Sequence, residues 1–440
     1  MIHKLNKFVL VLLFLAGLFP IEKAKGQSLV TDSLSLNEII REVTTNHPMV
    51  KKAMEDLNVA DAKIGLAESN YQPNIDFATS YSRMGPISNI SIPDLGSFSL
   101  VPHDNYSATI NVNQTIYDFG KTEKSILLEK QSKELTLQSV EQVKQKLSQA
   151  VIANYYTLVY LQEALKIKDQ QLETLNEHLK FIKKKQETGS ATQYEVLTTE
   201  VRISTIENQR TDLETARQIQ VCQLNSLLGK PESTKQQVKK DLNVSLPGLQ
   251  DDVLITSAMQ NRDEMKLASE KAKLAQLRYN LTDTQNNPVL NAFLSGGIKN
   301  GYIPYLYDPK PNFVAGIGFK VPVFDGKRNK YNLSQAQSAI QSNDQETEIA
   351  RRNIVNEVVE GEANVKASQK KVDQGELQLR QATQAYTLAK TSFDSGVITN
   401  LELLEGSTAV SESRLQLMKA KIDYAVSLYK LKSATGERLY

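Results

Sequence analysis

The chain has 440 residues, with 52 Lys and Arg against 50 Asp and Glu and a net charge of +2, which gives no electrostatic case for nucleic-acid binding. A single cysteine, Cys222, excludes a disulfide framework and lies far from any lipid-acceptor position at a mature terminus. The absence of Trp and a hydrophobic content of 40% point to an elongated body with a thin core.

At the amino terminus Lys4 and Lys7 precede the apolar run from Phe8 to Phe19, followed by Pro20 and the small-residue pattern Ala24-Lys25-Gly26. This order predicts a secretory signal over residues 1–26, cut after Gly26. The apolar run is short for a spanning helix, and no later stretch is long and apolar enough to span a bilayer as one.

The rest of the chain says nearly the same thing twice. Asn46, Ala53 and Pro73 recur as Asn261, Ala268 and Pro288, each shifted by 215. Asp118, Gly189, Thr192, Glu195, Leu197 and Gly229 recur as Asp325, Gly396, Thr399, Glu402, Leu404 and Gly436, each shifted by 207. Two halves of about 200 residues follow, a first repeat over 27–245 and a second over 246–440. Their length difference must lie between Pro73 and Asp118, or between Pro288 and Asp325.

Each half opens with a short helix. In the first, NIDFATSYSRM (74–84) and NYSATINVNQTIY (105–117) form a hairpin over about 74–117, joined by a Pro-, Gly- and Ser-rich loop. Tyr106, Ala108, Ile110, Val112 and Ile116 share one face, and Asn and Ser or Thr residues fill the other. Residues 121–188 then contain no Gly or Pro and predict a helix of about 100 Å, followed by a second over 190–228 closed by Gly229 and Pro231.

The second half predicts a hairpin over about 289–323, with Phe313, Ala315, Ile317, Phe319, Val321 and Val323 on one face and Gly316, Gly318 and Lys320 on the other. A long helix over 327–395 has Gly361 and Gly375 as weak points. The last helix, 397–435, carries the seam Leu401, Leu404, Thr408, Ser411, Leu415, Met418, Ile422, Ala425 and Tyr429, which asks for helical neighbours.

Strands of about ten residues, apolar on one face and polar or tiny on the other, fit a membrane barrel wall. A half-buried soluble sheet fits the same alternation, and the helices alone fit a coiled-coil rod. If the strands do enter lipid, four per chain are too few to close a barrel of about eight or more, so oligomerisation is required, and three chains would supply about twelve. Tyr81, Tyr106, Tyr117, Phe313, Phe319 and Phe324 would then serve as interfacial aromatics.

The paired strand-to-helix junctions IYDFGK (116–121) and VFDGKR (323–328), the hairpin tips ETGSATQYEVL (187–197) and DSGVITNLELL (394–404), and the ending KSATG (432–436) carry a resemblance. Over 35–436 the chain resembles the TolC-type outer-membrane efflux channel family. The resemblance implies a mainly α fold with a membrane β-barrel portion: a homotrimer whose four strands per chain complete a twelve-stranded barrel, above an α-barrel of long coiled-coil helices in the periplasm. It implies a passive conduit of a tripartite efflux or type I secretion system, set in outer-membrane lipid. Its tips would meet a periplasmic adaptor, or membrane fusion protein, and through it an inner-membrane transporter. Adaptor contact would fall on Gly189, Ser190, Ala191, Thr192, Gly396, Val397 and Thr399.

Glu402 and Glu405 stand where the family often has an acidic pair, which three chains would turn into rings of carboxylates that raise one another's pKa and favour cations. The plainer reading is that such glutamates solvate a helix start and favour its dipole. Glu195 is the first-repeat counterpart of Glu402, whereas Glu405 has Thr198. Family members latch the closed tip with a Tyr and an Arg bonded to this first-repeat acid. Here those places hold Phe393 and Ile398, so a closed state must be held by packing or by other polar residues.

Enzyme, metal and cofactor readings find no support. His47, His103 and His178 are scattered without partners at ligand spacing, and Gly316-Ile317-Gly318 lacks the turn and helix of a nucleotide site. The competing class is a periplasmic coiled-coil adaptor or structural protein that never enters the membrane. The cargo and the cognate pump are not legible in the residues.

Overall fold

The computed structural model describes residues 33–93, 96–242, 244 and 251–440; the expected signal over 1–26 lies outside them. The first half runs α1 (Leu36–Asn46), α2 (Pro48–Glu68), β1 (Asn74–Arg83), β2 (Asn89–Ile92), β3 (Gly96–Ser99), β4 (Asp104–Tyr117), α3 (Lys121–Glu187) and α4 (Gln193–Leu228). The second runs α5 (Asp251–Asn261), α6 (Asp263–Asp283), β5 (Val289–Lys299), β6 (Lys310–Lys320), α7 (Arg328–Asp394) and α8 (Asn400–Ala434).

The leading helix of each half is broken in two at the first repeat anchor. His47 takes an extended backbone and its Nδ1 accepts from the Met49 amide at 3.1 Å, with Pro48 at the first helical position, where its missing N–H costs nothing. Arg262 breaks the second half in the same extended conformation.

The strands form one antiparallel sheet in the order β1-β4-β5-β6, leaving β1 and β6 with an open edge each. Its register aligns Ile75, Val112, Leu294 and Ala315 across all four strands, and next to them Phe77, Ile110, Gly296 and Phe313. The opposite face aligns Asp76, Asn111, Ser295 and Val314. There Ser295 donates to Asn111 Oδ1 at 2.7 Å and Asn111 donates to Asp76 at 2.9 Å. The apolar face is open: Phe313 is 80% exposed and Ile317 74%.

Two details depart from simple alternation. A bulge between Thr115 and Tyr117 sets Tyr117 opposite Leu290, so Ile116 drops out of the row in which it was expected. β6 ends at Lys320, so Val321 and Val323 lie beyond the strand. Between the halves, the outer connection of the first carries the extra β2–β3 hairpin where the second has a short loop, which is where the length difference sits.

Each strand-to-helix junction passes through consecutive residues with positive φ, Phe119 and Gly120 in the first half and Gly326 and Lys327 in the second. The preceding aspartate caps the helix that follows. Asp118 accepts from the Thr122 amide at 2.8 Å and Asp325 from the Asn329 amide at 2.8 Å, placing negative charge at a helix start.

The main core lies midway along α3. Ile39, Ile40 and Val43 of α1 bury against Val151, Tyr155, Tyr156 and Val159, with Leu224 and Leu228 from the end of α4. The Tyr155 hydroxyl donates to the Lys239 carbonyl at 2.5 Å, and burial pushes its phenol up to about 12. A second cluster joins Leu254 and Ala258 of α5 to Ile354 and Val358 of α7 and Leu428 and Leu431 of α8.

Gly361 and Gly375, expected as weak points, leave α7 unbroken because α8 packs on them. A Cβ at Gly361 would sit 3.3 Å from Leu431 Cδ1, and one at Gly375 3.3 Å from Leu417 Cδ1. The seam of α8 is largely observed, except that Leu401 is 52% exposed and Leu403 is buried in its place.

Candidate functional site: the two helical-hairpin tips

Both hairpins turn by the same chemistry. Gly189 and Gly396 adopt φ +75, the left-handed conformation glycine takes without a Cβ penalty. The Ser190 amide donates to the Lys185 carbonyl at 2.8 Å and the Val397 amide to the Ser392 carbonyl at 2.9 Å, closing α3 and α7 with one motif. Ala191 and Ile398 follow in each loop before the next helix starts.

Thr192 and Thr399 begin those helices with reciprocal caps. The Glu195 amide donates to Thr192 Oγ1 at 3.3 Å while the Thr192 amide donates to the Glu195 carboxylate at 2.7 Å. Glu402 repeats the arrangement with Thr399, at 3.3 and 2.7 Å. The Thr399 amide, and then its hydroxyl, hold the Glu402 carboxyl below the usual range. Within one chain, therefore, Glu402 titrates in the direction opposite to mutual repulsion. Glu405, one turn on, is exposed on α8.

Phe393 does not face solvent. It is buried with Ile182, Val196 and Leu403, with Ile398 packed against the group, and the Lys185 ammonium lies 5.0 Å from its ring centre. Phe393 and Ile398, which the sequence placed where no polar latch can form, thus join an apolar cluster that draws on both hairpins.

Beside it lies a polar junction built on residues the sequence did not single out for this role. Asn400 opens α8 and is 3% exposed. Its amide nitrogen donates to Thr199 Oγ1 at 3.2 Å and to the Glu195 carbonyl at 3.3 Å, and its oxygen lies 2.6 Å from His178 Nε2. Because the Asn400 nitrogen is occupied as donor, His178 serves as donor to its oxygen. A turn deeper, Arg202 Nε donates to Thr408 Oγ1 at 3.1 Å, again from first hairpin to second. The available signal was a break in the repeat: His178, Arg202 and Asn400 have Ala385, Ala409 and Gln193 as counterparts.

Three exposed apolar side chains crown the tips: Val397 at 77%, Tyr194 at 69% and Leu401 at 52%. Among the described residues no three His, Cys, Asp or Glu side chains are grouped as a metal site needs, and no helix is long and apolar enough to cross a membrane.

A sheet apolar on one face and polar on the other, carried on two long helical hairpins, is the architecture of an outer-membrane channel subunit. The chain belongs to the outer membrane efflux protein family, whose profile matches residues 39–230 and 254–437. The outer membrane protein TolC of Salmonella enteritidis is 22% identical over 435 residues, covering 93% of this chain and 84% of that protein. In structure, the outer membrane protein VceC of Vibrio cholerae aligns with a TM-score of 0.74 at 18% identity, over 92% of this chain and 97% of its own. The Campylobacter jejuni CmeC outer membrane channel aligns with a TM-score of 0.76 at 17% identity, over 91% and 85%. The protein is an outer-membrane channel with a helical portion, and the adaptor and rod readings fall away.

Proposed function

We propose that three copies close a twelve-stranded barrel and that the resulting tunnel conducts solutes passively from a periplasmic adaptor and inner-membrane pump to the exterior. The observation that carries this reading is the four-stranded sheet with two open edges and an exposed apolar face. Unpaired backbone groups at such edges cost several kcal/mol each in lipid, so another copy must cover them. The exposed Val397, Tyr194 and Leu401 supply the apolar surface an adaptor would cover. Chemical crosslinking of detergent-extracted protein is expected to give a three-chain species. A monodisperse monomer stable without detergent would refute the barrel.

The tip glutamates are proposed to set ion preference at the periplasmic mouth. Glu402 and Glu405 from three chains would converge in a narrow opening and concentrate cations. Replacing both with Gln keeps size while removing charge. Single-channel recordings are expected to show weaker cation preference and relief of block by trivalent cations. Unchanged values would leave Glu402 its capping role alone, which is already visible in its contacts with Thr399.

A further inference from the structure

At the outer end of the sheet Lys299 pairs directly with Lys310, and Lys299 also pairs with Ser107, which pairs with Ser80. These four side chains share the face that carries Asp76, Asn111 and Ser295, because residues directly opposite on paired strands lie on one face. One residue away, Ala108 and Ile298 pair on the apolar face. The two lysines therefore stand at the lumen rim and not against lipid.

Like charges directly opposite each other weaken a sheet, and a carboxylate would be the ordinary remedy. None is supplied: among the described residues neither Lys299 nor Lys310 forms an ion pair, whether with Asp308 of the β5–β6 loop or with any other acid, and Asp104 lies on the other face, engaged by Arg83 at 3.4 Å and by the Tyr81 hydroxyl at 2.9 Å. The ammonium groups rest instead over tyrosine rings of the β5–β6 loop, Lys299 at 5.4 Å from the Tyr302 centre and Lys310 at 5.0 Å from that of Tyr305. A ring face holds a cation in place without neutralising it. Lys320, opposite Val289 at the inner end, adds a third positive charge to a face whose strands carry one acid, Asp76.

We infer that Lys299 and Lys310 form an anion-binding collar at the outer mouth of the barrel, which captures multivalent solute anions such as phosphorylated or sulfonated compounds. Three copies would place six ammonium groups around the opening. This rests on the trimeric reading, since a single sheet encloses no lumen. The low-dielectric wall and the shared sign of charge focus the potential and raise local anion concentration. The mouth at the barrel end then has the opposite sign from the glutamate-bearing tips.

The test uses purified channels in bilayers of zwitterionic lipid, so that headgroup phosphate adds no net charge, with inorganic tripolyphosphate on the barrel side. Voltage-dependent block of the unmodified channel is expected. The double variant Lys299→Gln, Lys310→Gln is expected to weaken block by about tenfold or more, and Lys299→Arg, Lys310→Arg to retain it. Absence of block in the unmodified channel, or equal block in the Gln variant, overturns the collar. The same preparations are crosslinked first: lack of a three-chain species overturns the trimer and the collar together, whereas an intact trimer with unaltered block overturns the collar alone.

Discussion

A lysine in place of Leu294 is expected to abolish trimer assembly in the membrane, while a lysine one residue on, in place of Ser295, is expected to leave it nearly intact. Leu294 sits near the middle of β5 in the apolar row with Ile75, Val112 and Ala315. A Lys facing lipid at that depth costs about 2–4 kcal/mol, and a trimer carries the cost in each subunit. Ser295 faces the other way, where its hydroxyl bonds Asn111 in reach of Asp76, so an ammonium there meets water and a carboxylate. The yield of crosslinkable trimer in isolated membranes measures both. Damage from Ser295→Lys instead would invert the inside and outside of the wall, and equal tolerance of both would remove the wall from the membrane.

Asn400→Leu is expected to loosen the closed tip and raise single-channel conductance. Asn400 is buried and joins His178, Thr199 and the Glu195 carbonyl, so an apolar replacement leaves three polar groups without this partner. Leaving a buried polar group unsatisfied costs about 1–3 kcal/mol, enough to shift an open-to-closed balance by about five- to 150-fold in each subunit. His178→Ala removes one arm of the same junction. The double variant should therefore fall short of the sum of the single effects, since both act through one hydrogen bond. Full additivity, or unchanged conductance in Asn400→Leu, would leave the apolar cluster around Phe393 as the sole fastening. Phe393→Ala then provides the contrast, opening a cavity among Ile182, Val196 and Leu403.

Much of this architecture was legible because the period of the residues and the period of the backbone agree. Alternation over 105–113 sorted the faces of β4 correctly, and the Gly- and Pro-free stretch after Lys121 appeared as one helix. The pattern failed where backbone geometry, not side-chain character, decides. Nothing in the side chains around Ile116 announces a bulge, and Gly361 reads as a helix weakness until Leu431 is seen lying on it. At the tips, the repeated Gly189 and Gly396 marked the turns and the glutamates were read at the helix starts, whereas the caps formed by Thr192 and Thr399 were not singled out. Asn400, His178 and Arg202 act across more than 200 residues, or between different helices of the two hairpins, so spacing along one element was blind to them. Their trace was a loss of symmetry between the halves.

The two leucines seated over glycines in the second hairpin limit how that hairpin can move. Gly361 with Leu431 and Gly375 with Leu417 are pegs in sockets spaced about 21 Å apart along antiparallel helices. Sliding α7 past α8 by one turn, about 5.4 Å, would drive both pegs at once onto positions that carry side chains, so the pair is locked in axial register. Neither α3 nor α4 contains a glycine within its helical span, so the first hairpin has no such pegs. In the tunnel proposed above, the second hairpin therefore moves as one stiff lever and not by sliding of its two helices.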